Sequence, residues 1–506
     1  MKDESQFSDL YACIDLGTQS VRVGIIDEYG TLVACAEHEY PISYPNDGWA
    51  EQKPEDWYKN FLLAWESALK DISPPRRKCI KALCACATSS TVFPVDAEGR
   101  PLSNALVWMD SRAVKEAEDI NATGNPTLSH CGGEVSVEWL IPKVLWFKHN
   151  KKEIYDTAYR FVEQLDWFNW MLSGEWCSSE CNATCKANYS HDDGGWNPHY
   201  FGNIGLDDYK EKIITQVTPV GGLIGELRAD FCETYGLNKS VSLYQGGIDA
   251  YIAVLGLGVV HEGILGAILG TSFVELCMTS NPLKIEGIWG PYKDAIIEGY
   301  YTLEGGQISA GSITKWFREI FGNGKSIDFK SISSEAKNSG VGAHGLVALD
   351  FFQGNRTPYK NPKSRGVIWG LSLSHSRGDI YRALIESVAF GTRNIISNFN
   401  LFGYDISSIV ACGGVTKDEL WMSVIADACD MQISLVNSSS YAGLMGCAMI
   451  SAVSSGLFRD YVSAANSMIH EVAVVEPNHK NKELYESAYD QYIALCGIMN
   501  SMTSKK

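Results

Sequence analysis

Polar positions interrupt the apolar ones at residues 12–27 in a way that predicts two strands and a turn. Ala-Cys-Ile-Asp runs into Leu-Gly-Thr-Gln-Ser, after which Val21, Val23 and Ile25 alternate with Arg22 and Gly24. That period-two pattern marks a half-buried strand. It recurs at 266–278, where Gly270-Thr271-Ser272 joins two further apolar runs. The hairpins lie half a chain apart, as two copies of one unit would.

Elsewhere the period changes. Residues 55–72 place Trp57, Phe61, Leu62 and Trp65 on one face and predict a helix. Strands are expected at 80–87, after the Thr88-Ser89-Ser90-Thr91 turn, and again at 105–109 beyond the Asp96–Gly99 turn. Residues 244–260 read as a buried turn and helix. In the second half, 408–412 is a short strand running into Gly413-Gly414. The helix expected next puts Leu420, Trp421, Val424, Ile425 and Ala428 on one face. The apolar helix at 443–453 carries small residues that allow close backbone packing.

A chain of 506 residues is too long for one core, so two domains are expected. The break at 255–262 divides it into 1–258 and 259–506. A hydrophobic share of 45% and a charged share of 20% are those of a folded globular protein. The net charge of −18 argues against nucleic acid as a partner. The most apolar run, Tyr251 to Val260, is half of what a membrane span requires. The first nine residues lack an apolar signal segment. Fifteen cysteines without paired spacing point to free thiols in a reducing compartment, so a cytoplasmic location is expected. Cys177, Cys181 and Cys185, with His191 nearby, invite a zinc site. No second cysteine pair accompanies them, and ordinary thiols are the expectation.

Candidate chemistry gathers at the turns. Gly17-Thr18-Gln19-Ser20 offers backbone N–H groups and hydroxyls, and Asp15 ends the preceding strand. A phosphate held there sits on a hairpin, because this turn lacks the Gly-Lys-Ser/Thr and following helix of a P-loop. Gly413-Gly414 gives a close-approach point before a helix. Asp249 precedes an apolar helix and reads equally as its N-cap or as a base.

In this order the segments resemble the FGGY carbohydrate kinases, a branch of the actin-like ATPases, over nearly the whole length. The motifs are Asp15-Leu-Gly17-Thr18, Gly48-Trp49-Ala50-Glu51-Gln52 with Asp56-Trp57, Trp108-Met109-Asp110-Ser111-Arg112, and Gln245-Gly246-Gly247-Ile248-Asp249-Ala250. Gly270-Thr271-Ser272, Glu304-Gly305-Gly306-Gln307 with Gly311, and Cys412-Gly413-Gly414 follow. The resemblance implies an α/β fold of two actin-like, ribonuclease H-like domains. Each has a mixed central sheet flanked by helices, and the active-site cleft lies between them. Residues 1–258 would bind sugar and carry the base, and 259–506 would bind nucleotide.

The implied reaction moves the γ-phosphate of MgATP to a sugar hydroxyl. Asp249 matches the catalytic base, and an ordinary aspartate, with a pKa near ~3.9, serves without a large shift. Asp15 matches the residue that orients Mg²⁺ through water. Thr18, Gln19 and Ser20 face the γ-phosphate with Gly17, and Gly270 and Thr271 form the second phosphate turn. Gly311, Gly413, Gly414 and Lys417 lie toward the nucleotide. Thr88, Ser89, Ser90, Trp108, Asp110 and Arg112 are the sugar-side candidates. The small residue Ala250, where glycerol kinases and xylulokinases typically carry an amide, resembles the ribulokinases. So do Gly132-Gly133, Ser136–Trp146 and Gly287–Tyr292. Tyr251 departs from the histidine usual there, and Tyr441 stands where an acidic residue is often found. The expected acceptor is a ketopentose, D- or L-ribulose. The alternatives are erythritol, ribitol, xylulose or glycerol as acceptor, or a regulator that binds ATP and sugar without transfer. The sugar and MgATP are the partners, homodimerisation is left open, and neither nucleic acid nor a membrane is expected.

Overall fold

Two mixed sheets built to one plan organise the molecule. The computed structural model describes residues 8–322 and 327–503. The reading of the N-terminal segment as lacking a signal falls mostly on residues 1–7, outside the described residues.

The first sheet comprises β1 (Leu10–Leu16), β2 (Ser20–Asp27), β3 (Leu32–Glu39), β4 (Ile80–Ala87), β5 (Leu223–Glu226) and β6 (Ser242–Tyr244), in the order β5-β6-β4-β1-β2-β3. β1, β2 and β3 form an antiparallel meander, while β4 and β6 run parallel to β1. The second comprises β7 (Ile264–Leu269), β8 (Phe273–Thr279), β9 (Trp289–Lys293), β10 (Tyr301–Gln307), β11 (Ser408–Cys412), β12 (Ile433–Val436) and β13 (Glu471–Val475). Its order is β9-β10-β8-β7-β11-β12-β13. The meander β7-β8-β10 and the parallel strands β11 and β12 repeat the first plan. This is the two-domain α/β architecture expected from the paired hairpins.

Both faces of the first sheet are covered, which is why β1 is almost continuously apolar rather than alternating. On one face lies α1 (Pro54–Leu69), burying Trp57, Phe61 and Trp65. On the other face sits α7 (Ala442–Ser454), which comes from the second half of the sequence. Leu444 of α7 presses on Gly24, where a Cβ would stand 2.7 Å from its Cδ1.

α7 packs in turn on α3 (Asp249–Gly256), the helix that follows β6. A Cβ on Gly256 would stand 1.9 Å from Ala442 O, and one on Gly446 would stand 2.0 Å from Ile252 O. The small residues expected to bring backbones close do so, and they join the helices that follow equivalent strands. One apolar cluster therefore runs across residues 258 and 259.

Three local expectations change. Only Ala105–Leu106 of the expected strand at 105–109 pairs, in a small separate sheet. The helix after Gly413-Gly414 begins at Glu419 and is capped by Asp418, with a short 3₁₀ turn between. Asp249 is the first helical residue, and Ile248 occupies the N-cap position. Cys177, Cys181 and Cys185 are buried free thiols. Among the described residues no helix is long and apolar enough to cross a membrane.

Candidate active site

The two hairpin turns face each other across a cavity of about 460 Å³. Its floor is the junction of the sheets with α3 and α7.

On the first hairpin, Gly17 N–H donates to Ser20 O at 2.9 Å, closing the turn. Tyr40 braces it from below, its hydroxyl donating to the carbonyls of Gly17 and Ser20. Gln52 Nε2 donates to Thr18 O at 2.6 Å, and Trp108 Nε1 donates to Thr18 Oγ1 at 3.0 Å. Ser20 Oγ and Arg22 are both held by Glu37, at 2.6 and 3.2 Å. Asp15, Thr18, Ser20 and Arg22 line the cavity. Gln19 does not; it is exposed, and its main chain accepts from Tyr40 N–H instead.

The second hairpin is locked to α4 (Gly311–Ile320). Gly311 N–H donates to Gly270 O, and Ala310 and Ser312 N–H donate to Thr271 O. A Cβ on Gly311 would stand 2.4 Å from Gly270 O, so only glycine permits this approach. Gly413 is pressed as closely on Leu269 O, at φ +103°, and lies behind the wall. Gly414 and Lys417 line a second groove of about 1330 Å³ that begins at Gly270 and Thr271. Asp418, missed in the sequence, caps α6 (Glu419–Cys429) and accepts from Ser333 Oγ at 2.6 Å.

Asp249 opens α3 at the cavity floor beside Ala250. Burial raises its pKa to about 7, with the charge of Asp15 adding to the effect and the Ala250 N–H opposing it. The expectation of an ordinary aspartate is therefore corrected. A base poised near neutrality is better matched to proton transfer than one near ~3.9. Asp15 is also raised, first by burial, with Arg22 and Cys86 opposing.

The polar end of the cavity was not legible in the sequence. Glu304, 3% exposed, accepts from Lys186 Nζ at 2.9 Å, Tyr251 OH at 2.7 Å and Arg356 NH2 at 2.6 Å. Burial pushes its carboxyl up, but the two cations outweigh that and hold it at about 2. All four residues line the cavity that contains Asp249.

Among the sugar-side candidates, Thr88, Ser89 and Trp108 reach the cavity. Ser90 does not. It is buried, and its N–H donates to Glu163 while its carbonyl accepts from Lys143 Nζ at 2.6 Å. Asp110 and Arg112 are likewise internal. Arg112 pairs with Asp110 and Glu51 at 2.7 and 2.8 Å and covers the Trp49 ring, and Asp110 accepts from Ala50 N–H. The pair shapes the loop beneath Trp108 from within.

Comparison with known proteins agrees with the two-domain fold. The profile described as the FGGY family of carbohydrate kinases, N-terminal domain, matches residues 10–256, and its C-terminal counterpart matches 265–455. A Xenopus laevis FGGY carbohydrate kinase domain-containing protein is 30% identical, covering 96% of each chain. A ribulokinase from Shouchella clausii is 30% identical over 95% of this chain and 94% of its own. The crystal structure of a xyloylose kinase from Brucella ovis superposes with a TM-score of 0.88 at 25% identity, covering 97% of this chain and 100% of that one.

Proposed function

The chain belongs to the FGGY family of carbohydrate kinases, ATP-dependent enzymes that phosphorylate sugars, and we propose that its acceptor is a ketopentose of the ribulose type. The observation that carries this reading is the shared cavity. Asp249, the small Ala250 and the Lys186–Glu304–Arg356 cluster open onto one space. That space offers a base together with several fixed donors and acceptors, which suits a polyhydroxylated ligand.

In this reading Asp249 takes the proton of the attacking hydroxyl. The hydroxyl oxygen bonds to the γ-phosphorus, the bond to the β–γ bridging oxygen breaks, and ADP leaves. Thr18, Ser20 and Thr271 face the transferring group. Gly311, Gly414 and Lys417 border the nucleotide. The carboxylates of Asp15 and Asp249 are the hard oxygen donors that Mg²⁺ prefers, and burial raises the pKa of both. Asp15 would hold Mg²⁺, through water, and the ion would supply neutralisation of the phosphate charge. Lys186, Glu304 and Trp108 orient the sugar. Buried free thiols such as Cys177, Cys181 and Cys185 support a cytoplasmic location.

The test is ADP release with MgATP across ketopentoses, ketohexoses, pentitols, erythritol and glycerol. Preference for D- or L-ribulose supports the reading. Preference for a polyol overturns the acceptor while leaving the kinase chemistry in place.

A further inference from the structure

We propose that Glu180, His191 and Asp294 form a binding site for one divalent transition-metal ion, of which zinc is the representative, at the seam between the two halves of the chain. The ligating atoms of the three residues lie within 4.8 Å of one another. His191 Nε2 is in contact with Glu180 Oε1 and stands 3.8 Å from Asp294 Oδ2. Ligand atoms around a tetrahedral ion with bonds of ~2.1 Å are spaced by ~3.4 Å. The His191–Asp294 spacing is already near that value, and the Glu180–His191 contact has only to open.

The charge balance points to a cation. Glu180 is 5% exposed. Among the described residues no lysine or arginine is paired with Glu180 or Asp294, and the nearby Glu298 adds a third negative charge. Lys293, the adjacent cation, pairs with Asp192 at 3.3 Å and acts more weakly on Asp294. One imidazole cannot neutralise two carboxylates, and an enclosed carboxylate is paired or ligates a metal.

The three groups are also held from outside. Gly299 N–H donates to Asp294 Oδ1 at 2.6 Å, leaving Oδ2 toward His191. Glu180 begins α2 (Glu180–Lys186), and His191 sits in a turn capped by Ser190. The His191 ring packs edge-on against Tyr189, with centroids 5.4 Å apart. One imidazole nitrogen with two carboxylate oxygens suits Zn²⁺ and its first-row neighbours, whereas Mg²⁺ prefers oxygen alone. The neighbouring thiols take no part, since Cys181 and Cys185 face the core.

The placement gives such an ion a role. Glu180 and His191 come from the first half and Asp294 from the second. α2 ends at Lys186, and Asp294 lies between β9 and β10, the strand that carries Glu304. An ion here ties together the two elements that supply the polar end of the cavity.

The test is isothermal titration of chelator-treated, nucleotide-free enzyme with ZnCl₂, together with X-ray absorption of the loaded protein and melting curves. The expected result is one equivalent of Zn²⁺ with nitrogen and oxygen ligands only and a higher melting temperature. His191→Ala should abolish the binding, and Asp294→Asn should weaken it at least about tenfold. His191 is on the surface, so the variant should fold, and His191→Gln serves as a second check by circular dichroism. Three results would each overturn the site: sulfur in the absorption spectrum, unchanged stoichiometry in His191→Ala, or no binding to the wild type.

Discussion

Lys186 and Glu304 meet at 2.9 Å in a buried ion pair that joins the two halves of the chain across the cavity. Neither charge could be enclosed there alone. Arg356 and Tyr251 complete the shell around Glu304, so the carboxylate stays ionised and its geometry is fixed before any ligand arrives.

Lys186→Met should raise KM for the sugar by tenfold or more while leaving ATP binding intact, read by steady-state kinetics and by calorimetry with ATP alone. Breaking a buried pair costs about 3–5 kcal/mol, and Arg356 keeps the loss at the low end of that range. Loss of ATP binding with unchanged sugar affinity would mean that the cavity is oriented the other way.

The pKa of about 7 at Asp249 sets a pH profile. The base works only when deprotonated, so kcat/KM should rise tenfold per pH unit below 7 and level off above it. A flat kcat/KM between pH 5.5 and 8 would contradict the assignment.

Glu275 lies wholly buried on β8 of the second sheet, and burial raises its pKa from 4.5 to about 7. The unfolded chain releases this proton at lower pH than the folded one. Stability is therefore full below 4.5 and declines as pH rises to about 7. Glu275→Gln should leave the melting temperature nearly unchanged at pH 5 and raise it at pH 8. The gain is bounded by linkage at about 3 kcal/mol. Equal effects at both pH values would show that the carboxyl does not titrate there.

Gly446→Ala places a methyl against Ile252 O, where a Cβ would stand 2.0 Å away. The α3–α7 contact has no slack, since both helices meet backbone to backbone. The expected loss is about 1–3 kcal/mol or more in denaturant unfolding. Gly497→Ala, in open space on the C-terminal helix, is the control and should cost nothing.

What could be read from the sequence was local. The turns at Gly17–Ser20 and Gly270–Ser272, the strand 80–87 and the small-residue helix all follow from the spacing of neighbours, and their positions in the structure agree. The meeting of Lys186 and Arg356 with Glu304 was not legible, because Lys186 is 118 residues and Arg356 52 residues from Glu304. No local pattern marks such a cluster. The Asp110–Arg112 pair shows the converse. An Asp-x-Arg motif looks the same whether it faces a ligand or the interior, and the deciding partner, Glu51, lies 61 residues from Arg112. The altered titration of Asp249 has the same origin, since burial and the proximity of Asp15 exist only in the folded chain.

The measurement that bears most directly on the account is ADP release from MgATP with ribulose, comparing wild type with Asp249→Asn. The account predicts steady turnover in the wild type and a loss of at least about 10²-fold in the variant, with ATP still bound, because an amide cannot accept the hydroxyl proton. Turnover of the variant at the wild-type rate would contradict it.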